Sequence, residues 1–265
     1  MSNPTPQPGI LQITPYKGGE SEVTGVETVR KLSSNESPLG PSPRAIRAAQ
    51  NAVAEVHRYP DGASAELSAE IGRLYGIPAE NIICGAGSDE LISLLVQAYA
   101  GPGDEVLYSQ HGFMMYPISA MSNGATPVKA PEVDLTTDPE ALLGAVTDRT
   151  RIVFIANPNN PTGTYISADA LADFRARLRD DIILVVDAAY AEYVSRNDYT
   201  AGLELVSSHD NVVMLRTFSK IHGLAGMRLG WGYMPAGIIE VLHRTRGPFN
   251  VGLVSQIAGA ESIRD

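Results

Sequence analysis

The chain has 265 residues, 44% of them hydrophobic and 19% charged, with a formal net charge of −10. This length and composition support a large packed domain with a smaller lobe and leave little room for disorder away from the ends. No run of Lys and Arg is long enough to track a phosphate backbone, which excludes nucleic acid and anionic membrane surfaces as natural partners.

Residues 1–30 carry several Pro and Gly with little periodicity and read as an extended arm. Their start is polar and Pro-rich with no apolar signal core, and no stretch of the chain nears the ~18 apolar residues of a membrane helix, so a cytoplasmic location is expected. A helix is predicted over Ser42–Val56, capped by Ser42 with Pro43 in the first turn, and another over Ser64–Tyr75, stopped by Gly76. Short apolar runs then predict strands at Ile82–Cys84, Glu105–Tyr108, Thr126–Lys129, Arg151–Ala156, Ile182–Val186, Val212–Leu215 and Leu229–Tyr233. Helices are predicted between several of them, over Asp89–Ala100, Pro139–Ala145, Ala168–Arg179 and Ile238–Arg244. Continuous apolar strands between helices mean an α/β fold, a mostly parallel sheet sandwiched by helices. The single cysteine, Cys84, excludes an intrachain disulfide, fits a reducing compartment and reads as buried strand filler. Val254–Ile263 looks like a helix just begun, and a polypeptide truncated after Asp265 is expected.

In open α/β sheets ligands bind beyond the carboxyl ends of the strands, so the residues just after each strand carry the chemistry. After the first strand, Gly85-Ala86-Gly87-Ser88-Asp89-Glu90 runs into a helix whose free N–H groups attract a phosphate. Glu90 stands where a dinucleotide fold has a third Gly, and by itself the motif fits a capping turn equally well. Asn157-Pro158-Asn159-Asn160-Pro161-Thr162-Gly163 marks a rigid turn, from which Asn160 can present its amide to a ring oxygen. Asp187 ends five apolar residues, so its partly desolvated carboxylate needs a cation, such as a pyridinium nitrogen, unless it simply caps a helix. Lys220 follows the strand Val212–Leu215 in a weakly charged, Gly-rich setting, where a lysine can form an imine with an aldehyde cofactor. Arg228 offers a fork for a phosphate, and Ser219 a hydroxyl. His57, His111, His209, His222 and His243 lack ligand spacing, so no metal site is expected.

Asn-Pro-x-Asn-Pro-Thr-Gly, Asp-x-x-Tyr and Ser-Lys-x7-Arg occur here in the order of the aspartate-aminotransferase superfamily, which the chain resembles over roughly residues 7–265. The resemblance implies a fold-type I transferase dependent on pyridoxal 5'-phosphate, with an incomplete small domain. Residues 1–45 would form an N-terminal arm and the start of the small domain, and 46–265 the large cofactor-binding domain. It implies Lys220 and Asp187 as catalytic residues, Lys220 holding the cofactor and Asp187 its ring nitrogen. Asn160 and Tyr190 would bind the 3′-oxygen, Arg228, Ser219, Gly87, Ser88 and Asp89 the phosphate, and Phe113 would stack on the ring in a place where the family often has Tyr.

The front half looks most like the histidinol-phosphate aminotransferase family, through Tyr16-Lys17-Gly18-Gly19-Glu20, Leu32-Ser33-Ser34-Asn35-Glu36-Ser37-Pro38-Leu39-Gly40-Pro41 and Arg58-Tyr59-Pro60-Asp61-Gly62. That likeness implies Tyr16 and Asn35 at the substrate, and Tyr59 reaching a phosphate in the neighbouring subunit of a homodimer. The implied reaction moves the amino group of L-histidinol phosphate to 2-oxoglutarate. An aromatic aminotransferase, a phosphothreonine-type decarboxylase and a non-catalytic cofactor-binding fragment are the competing expectations, the last because the arginines that grip substrate in related enzymes lie past this chain's end.

Overall fold

In the computed structural model, which describes residues 4–16, 18–19, 24–25, 31 and 33–265, the first α-helix starts where the sequence places its cap. The Ser42 hydroxyl accepts the Ala45 N–H at 3.1 Å, and Pro43 opens α1 (Pro43–Ala52). Helix α2 (Ala65–Tyr75) stops at Gly76, whose φ of 66° is left-handed, a conformation glycine adopts at least cost. The chain continues through β1 (Ile82–Gly85), α3 (Ser88–Tyr99), β2 (Glu105–Ser109), α4 (Met115–Ser122) and β3 (Thr126–Ala130). A hairpin of β4 (Glu132–Val133) and β5 (Thr136–Thr137) precedes α5 (Pro139–Ala145), β6 (Thr150–Ala156), α6 (Ala168–Arg177) and β7 (Ile183–Asp187). Then come α7 (Leu203–Ser208), β8 (Val212–Thr217), β9 (Gly230–Tyr233), α8 (Ala236–Thr245) and α9 (Leu253–Arg264).

All the strands predicted from apolar runs join one seven-stranded sheet, in the order β1-β9-β8-β7-β6-β2-β3. Strand β9 runs antiparallel to both its neighbours, and the other pairs are parallel. Alternate residues of each strand feed opposite layers. Leu184, Val186 and Met214 pack with Ile71 of α2, Phe174 of α6 and Ala258 of α9, whereas Ile183, Val185 and Leu215 pack with Leu95 of α3, Tyr116 of α4 and Leu242 of α8. Each Val, Leu, Ile, Phe or Met among them contributes roughly 1.5–3 kcal/mol of transfer free energy on burial. Cys84 lies in the first layer, where burial pushes its thiol up to about 12, so it is inert filler as expected.

The sequence patterns miss α4, the β4–β5 hairpin and α7. Helix α4 carries Pro117 and follows Met114, which offers no side-chain cap, so nothing local announces it; burial of Tyr116, Ser119 and Ala120 holds it in place. The β4–β5 hairpin turns on Asp134 and Leu135, both at positive φ, where Asn-Gly or Asp-Gly is the usual signal. Helix α7 has only six residues. Strand β8 also runs past Leu215, because the buried Arg216 is neutralised within the fold. Its guanidinium pairs with Glu192 and lies 5.0 Å from the Tyr75 ring centroid and 5.8 Å from that of Trp231. Part of the predicted arm over residues 1–30 lies outside the described residues, as do Lys17, Glu20 and Leu32 of the family-like motifs.

Candidate active site

Strand register brings the chemistry-bearing residues to one edge. Ala156 pairs with Asp187, Asp187 with Leu215, and Gly230 with both Thr217 and Gly85, so the carboxyl ends of β6, β7, β8 and β1 lie side by side. Beyond them opens a cleft of about 710 Å³. It is lined by Ser88, Asp89, Phe113, Asn160, Asp187, Tyr190, Ser219, Lys220 and Arg228, together with Tyr16 and Asn35 from the N-terminal segment. Gly87 borders this wall through Arg228, as described next. Tyr59 is not part of it: the residue is 82% exposed and its ring stacks on Phe249, with centroids 4.6 Å apart.

One end of the cleft is built for an anion. Helix α3 starts at Ser88 after Gly87, with no side chain capping its first turn, so the N–H groups there are available to a ligand. Gly87 has φ 88° and ψ 163°, a backbone conformation essentially restricted to glycine, and a Cβ on it would lie 2.5 Å from Nη2 of Arg228. Arg228 Nη1 donates to Ser219 Oγ at 3.4 Å and Nη2 to Asp89 Oδ2 at 3.1 Å. A hydroxyl, a guanidinium and a helix start thus converge, with Asp89 restraining the arginine. Glu90, which breaks the dinucleotide pattern, fixes the turn: its Oε2 accepts the Ala86 N–H at 2.6 Å and the Asn250 amide at 2.7 Å.

The same cleft holds an amine and an acid. Lys220 is half-buried, and desolvation lowers its pKa, which favours the neutral amine. Its Nζ donates to the Ser34 carbonyl at 2.9 Å and lies 5.5 Å from the Tyr190 ring centroid. Asn35 donates its amide to the Tyr190 hydroxyl at 2.9 Å, so besides lining the cleft it orients Tyr190. Asp187 is buried, and desolvation pushes its pKa from 3.8 up to about 6. No α-helix begins there for it to cap; Oδ1 accepts the Ala189 N–H at 3.3 Å. In the Pro-rich turn, Asn157 and Asn159 are braces, Asn157 bonding Ile166 at both its oxygen and its nitrogen and Asn159 donating to Thr162 Oγ1 at 2.9 Å. Asn160 is the asparagine of the three that lines the cleft.

Tyr116 escaped the sequence reading. Its hydroxyl donates to Asp187 Oδ2 at 2.8 Å, both groups being buried. A lone tyrosine in an apolar stretch carries no local signal, since only the tertiary fold brings α4 to the end of β7.

Residues 27–265 match the family model of class I and II aminotransferases. Over all 265 residues the chain is 58% identical to the histidinol-phosphate aminotransferase of Paramagnetospirillum magneticum and 57% identical to that of Rhodospirillum centenum, spanning 73% of each. The chain belongs to the histidinol-phosphate aminotransferases. Among solved members of this family, the Sinorhizobium meliloti enzyme in complex with pyridoxal-5'-phosphate matches with a TM-score of 0.84 at 30% identity, over 88% of this chain and 63% of that one. The same α/β sandwich is therefore shared, and the residues of the cleft fit such a group. An uncapped helix start with Arg228 suits a phosphate, a buried acid suits a cationic ring nitrogen, and a desolvated lysine amine suits an aldehyde.

Proposed function

We propose that this chain binds pyridoxal 5'-phosphate and transfers the amino group of L-histidinol phosphate to 2-oxoglutarate, giving imidazole-acetol phosphate and glutamate. The observation that carries this is the convergence, in one cleft, of a desolvated lysine amine and a buried carboxyl group beside an anion-binding helix start. Arg228, Ser219 and the first turn of α3, with Gly87, Ser88 and Asp89, hold the phosphate, and Lys220 Nζ is the attachment point. Asn160 and Tyr190 would bind the 3′-oxygen, and Phe113 would supply an aromatic wall. When bound, the cofactor supplies an electron sink for the charge left on the substrate carbon. Asp187 would keep a negative charge facing the ring nitrogen, and Lys220 Nζ, freed when the substrate amine replaces it and its basicity lowered by burial, would carry the proton of the amine-bearing carbon to the cofactor's aldehyde carbon.

Tyr16 and Asn35 lie on the substrate side of the cleft. Tyr59, exposed and outside its own cleft, serves the phosphate of a second copy in a homodimer in the cytoplasm. Residues 1–45 act as the arm and the start of a small domain, and 46–265 as the cofactor-binding body.

Borohydride reduction of the protein mixed with pyridoxal phosphate, followed by peptide mapping, tests the reading. Attachment at Lys220, lost together with the visible absorbance in Lys220→Ala, is the expected result. A folded protein that attaches no cofactor, or retains the absorbance in Lys220→Ala, overturns it.

A further inference from the structure

We propose that Tyr116 is a positioning residue of the active site, whose hydroxyl holds Asp187 as an ionised, fixed acceptor. The inference rests on the reading that Asp187 pairs with the cofactor's ring nitrogen. The geometry is specific. Two donors grip the carboxyl group from different elements, Tyr116 at Oδ2 (2.8 Å) and the Ala189 N–H at Oδ1 (3.3 Å), which fixes its plane. The tyrosine is itself locked. Its ring stacks on Phe154 with centroids 4.5 Å apart and planes 7° from parallel, and meets Phe113 edge-on at 5.8 Å and 88°. One side chain therefore braces both the aromatic wall of the cleft and the acid at its floor.

The electrostatics make the hydroxyl matter. Among the described residues, the titratable groups acting on Asp187 are Tyr116 from α4, Asp89 from the start of α3, and Tyr190 and Tyr199 from the segment after β7. Of these, Asp89 raises the pKa of Asp187, as burial does, whereas the bonds from Tyr116 and Ala189 lower it. The phenol stays protonated, because burial and the neighbouring Asp187 push its own pKa well above 10.0. It is thus a permanent donor to an acid whose charged form burial disfavours. Without it, Asp187 would hold its own proton over a wider pH range and leave the ring nitrogen without a full counter-charge.

Tyr116→Phe keeps the stacked ring and removes the donor. In cofactor-free protein carrying ¹³C-labelled aspartate, NMR titration should find the Asp187 midpoint raised by about one to two pH units, the value of a hydrogen bond to a charged acceptor. In the loaded protein, kcat should fall by about ten- to a hundredfold with KM little changed. A fluorinated tyrosine at position 116, a stronger donor of nearly the same shape, should move the midpoint down, and it carries the test alone if Tyr116→Phe does not fold. A midpoint unmoved in both proteins overturns the role of Tyr116 even where the cofactor still attaches at Lys220. Failure of the unsubstituted chain to attach cofactor there overturns the underlying reading instead, whatever the midpoint does.

Discussion

Asp187 carries an unsatisfied demand for positive charge, and that demand has a measurable consequence for the unliganded protein. Its folded pKa of about 6 lies above its ordinary 3.8, mainly because burial penalises the carboxylate. A group with a raised folded pKa favours folding fully below its unfolded value and loses that contribution as pH rises through the folded one. Between pH ~4 and ~6, Asp187 should therefore withdraw up to ~3 kcal/mol of stability from the cofactor-free chain. Urea unfolding of the chain and of Asp187→Asn across that window checks this. The unsubstituted protein should lose stability relative to the variant as pH rises, and parallel curves would mean that the acid is not desolvated. The desolvation of Asp187 was legible from sequence, because a carboxylate closing five apolar residues is buried with them. Its partner Tyr116 was not, since a hydrogen bond across 71 positions of chain leaves no local pattern.

At the scale of elements, the proposed anion site depends on how closely β9 approaches the start of α3. A Cβ at Gly230 would sit 2.2 Å from the Ser88 nitrogen and 2.5 Å from the Gly87 carbonyl carbon, both backbone atoms that cannot swing aside. Gly230→Ala should therefore cost about 1–3 kcal/mol of stability. It should also weaken pyridoxal-phosphate affinity by pushing the helix start away from Arg228. Gly101→Ala, where a Cβ meets nothing within 4 Å, is the control. Equal cofactor dissociation constants for the two variants would show that the close approach does not shape the site. Element prediction succeeded where periodicity and caps agree, as in α1 with Ser42 and Pro43. It failed for α4, whose stability comes from packing against the sheet, and for the last residues of β8, where Arg216 is charged in the sequence but neutralised in the fold.

For the molecule as a whole, the cleft and Tyr59 are separate features of one chain. Tyr59 stacks on Phe249 on the surface, and an exposed pair of aromatic rings is suited to contact with a second copy. Tyr59→Ala should accordingly weaken cofactor affinity although it touches nothing in its own cleft, and sedimentation should find the unsubstituted chain dimeric. Affinity unchanged by the substitution, measured by titrating the visible absorbance, would remove Tyr59 from the phosphate site.

The α/β class, the seven strands of the sheet and the residues at their carboxyl ends were all legible in local sequence patterns. These follow from local rules: apolar runs need burial on both faces, and a parallel sheet presents its strand ends to ligands. The motif order likewise carried the family, because Asn160, Asp187, Tyr190, Lys220 and Arg228 sit at fixed spacings within short segments. It took the three-dimensional fold to show that β9 runs antiparallel between β1 and β8, that Glu90 ties the turn before α3 to Asn250, and that Tyr116 donates to Asp187. Each of these joins segments far apart in the chain, and such contacts are set by packing and polar satisfaction, which no local pattern encodes.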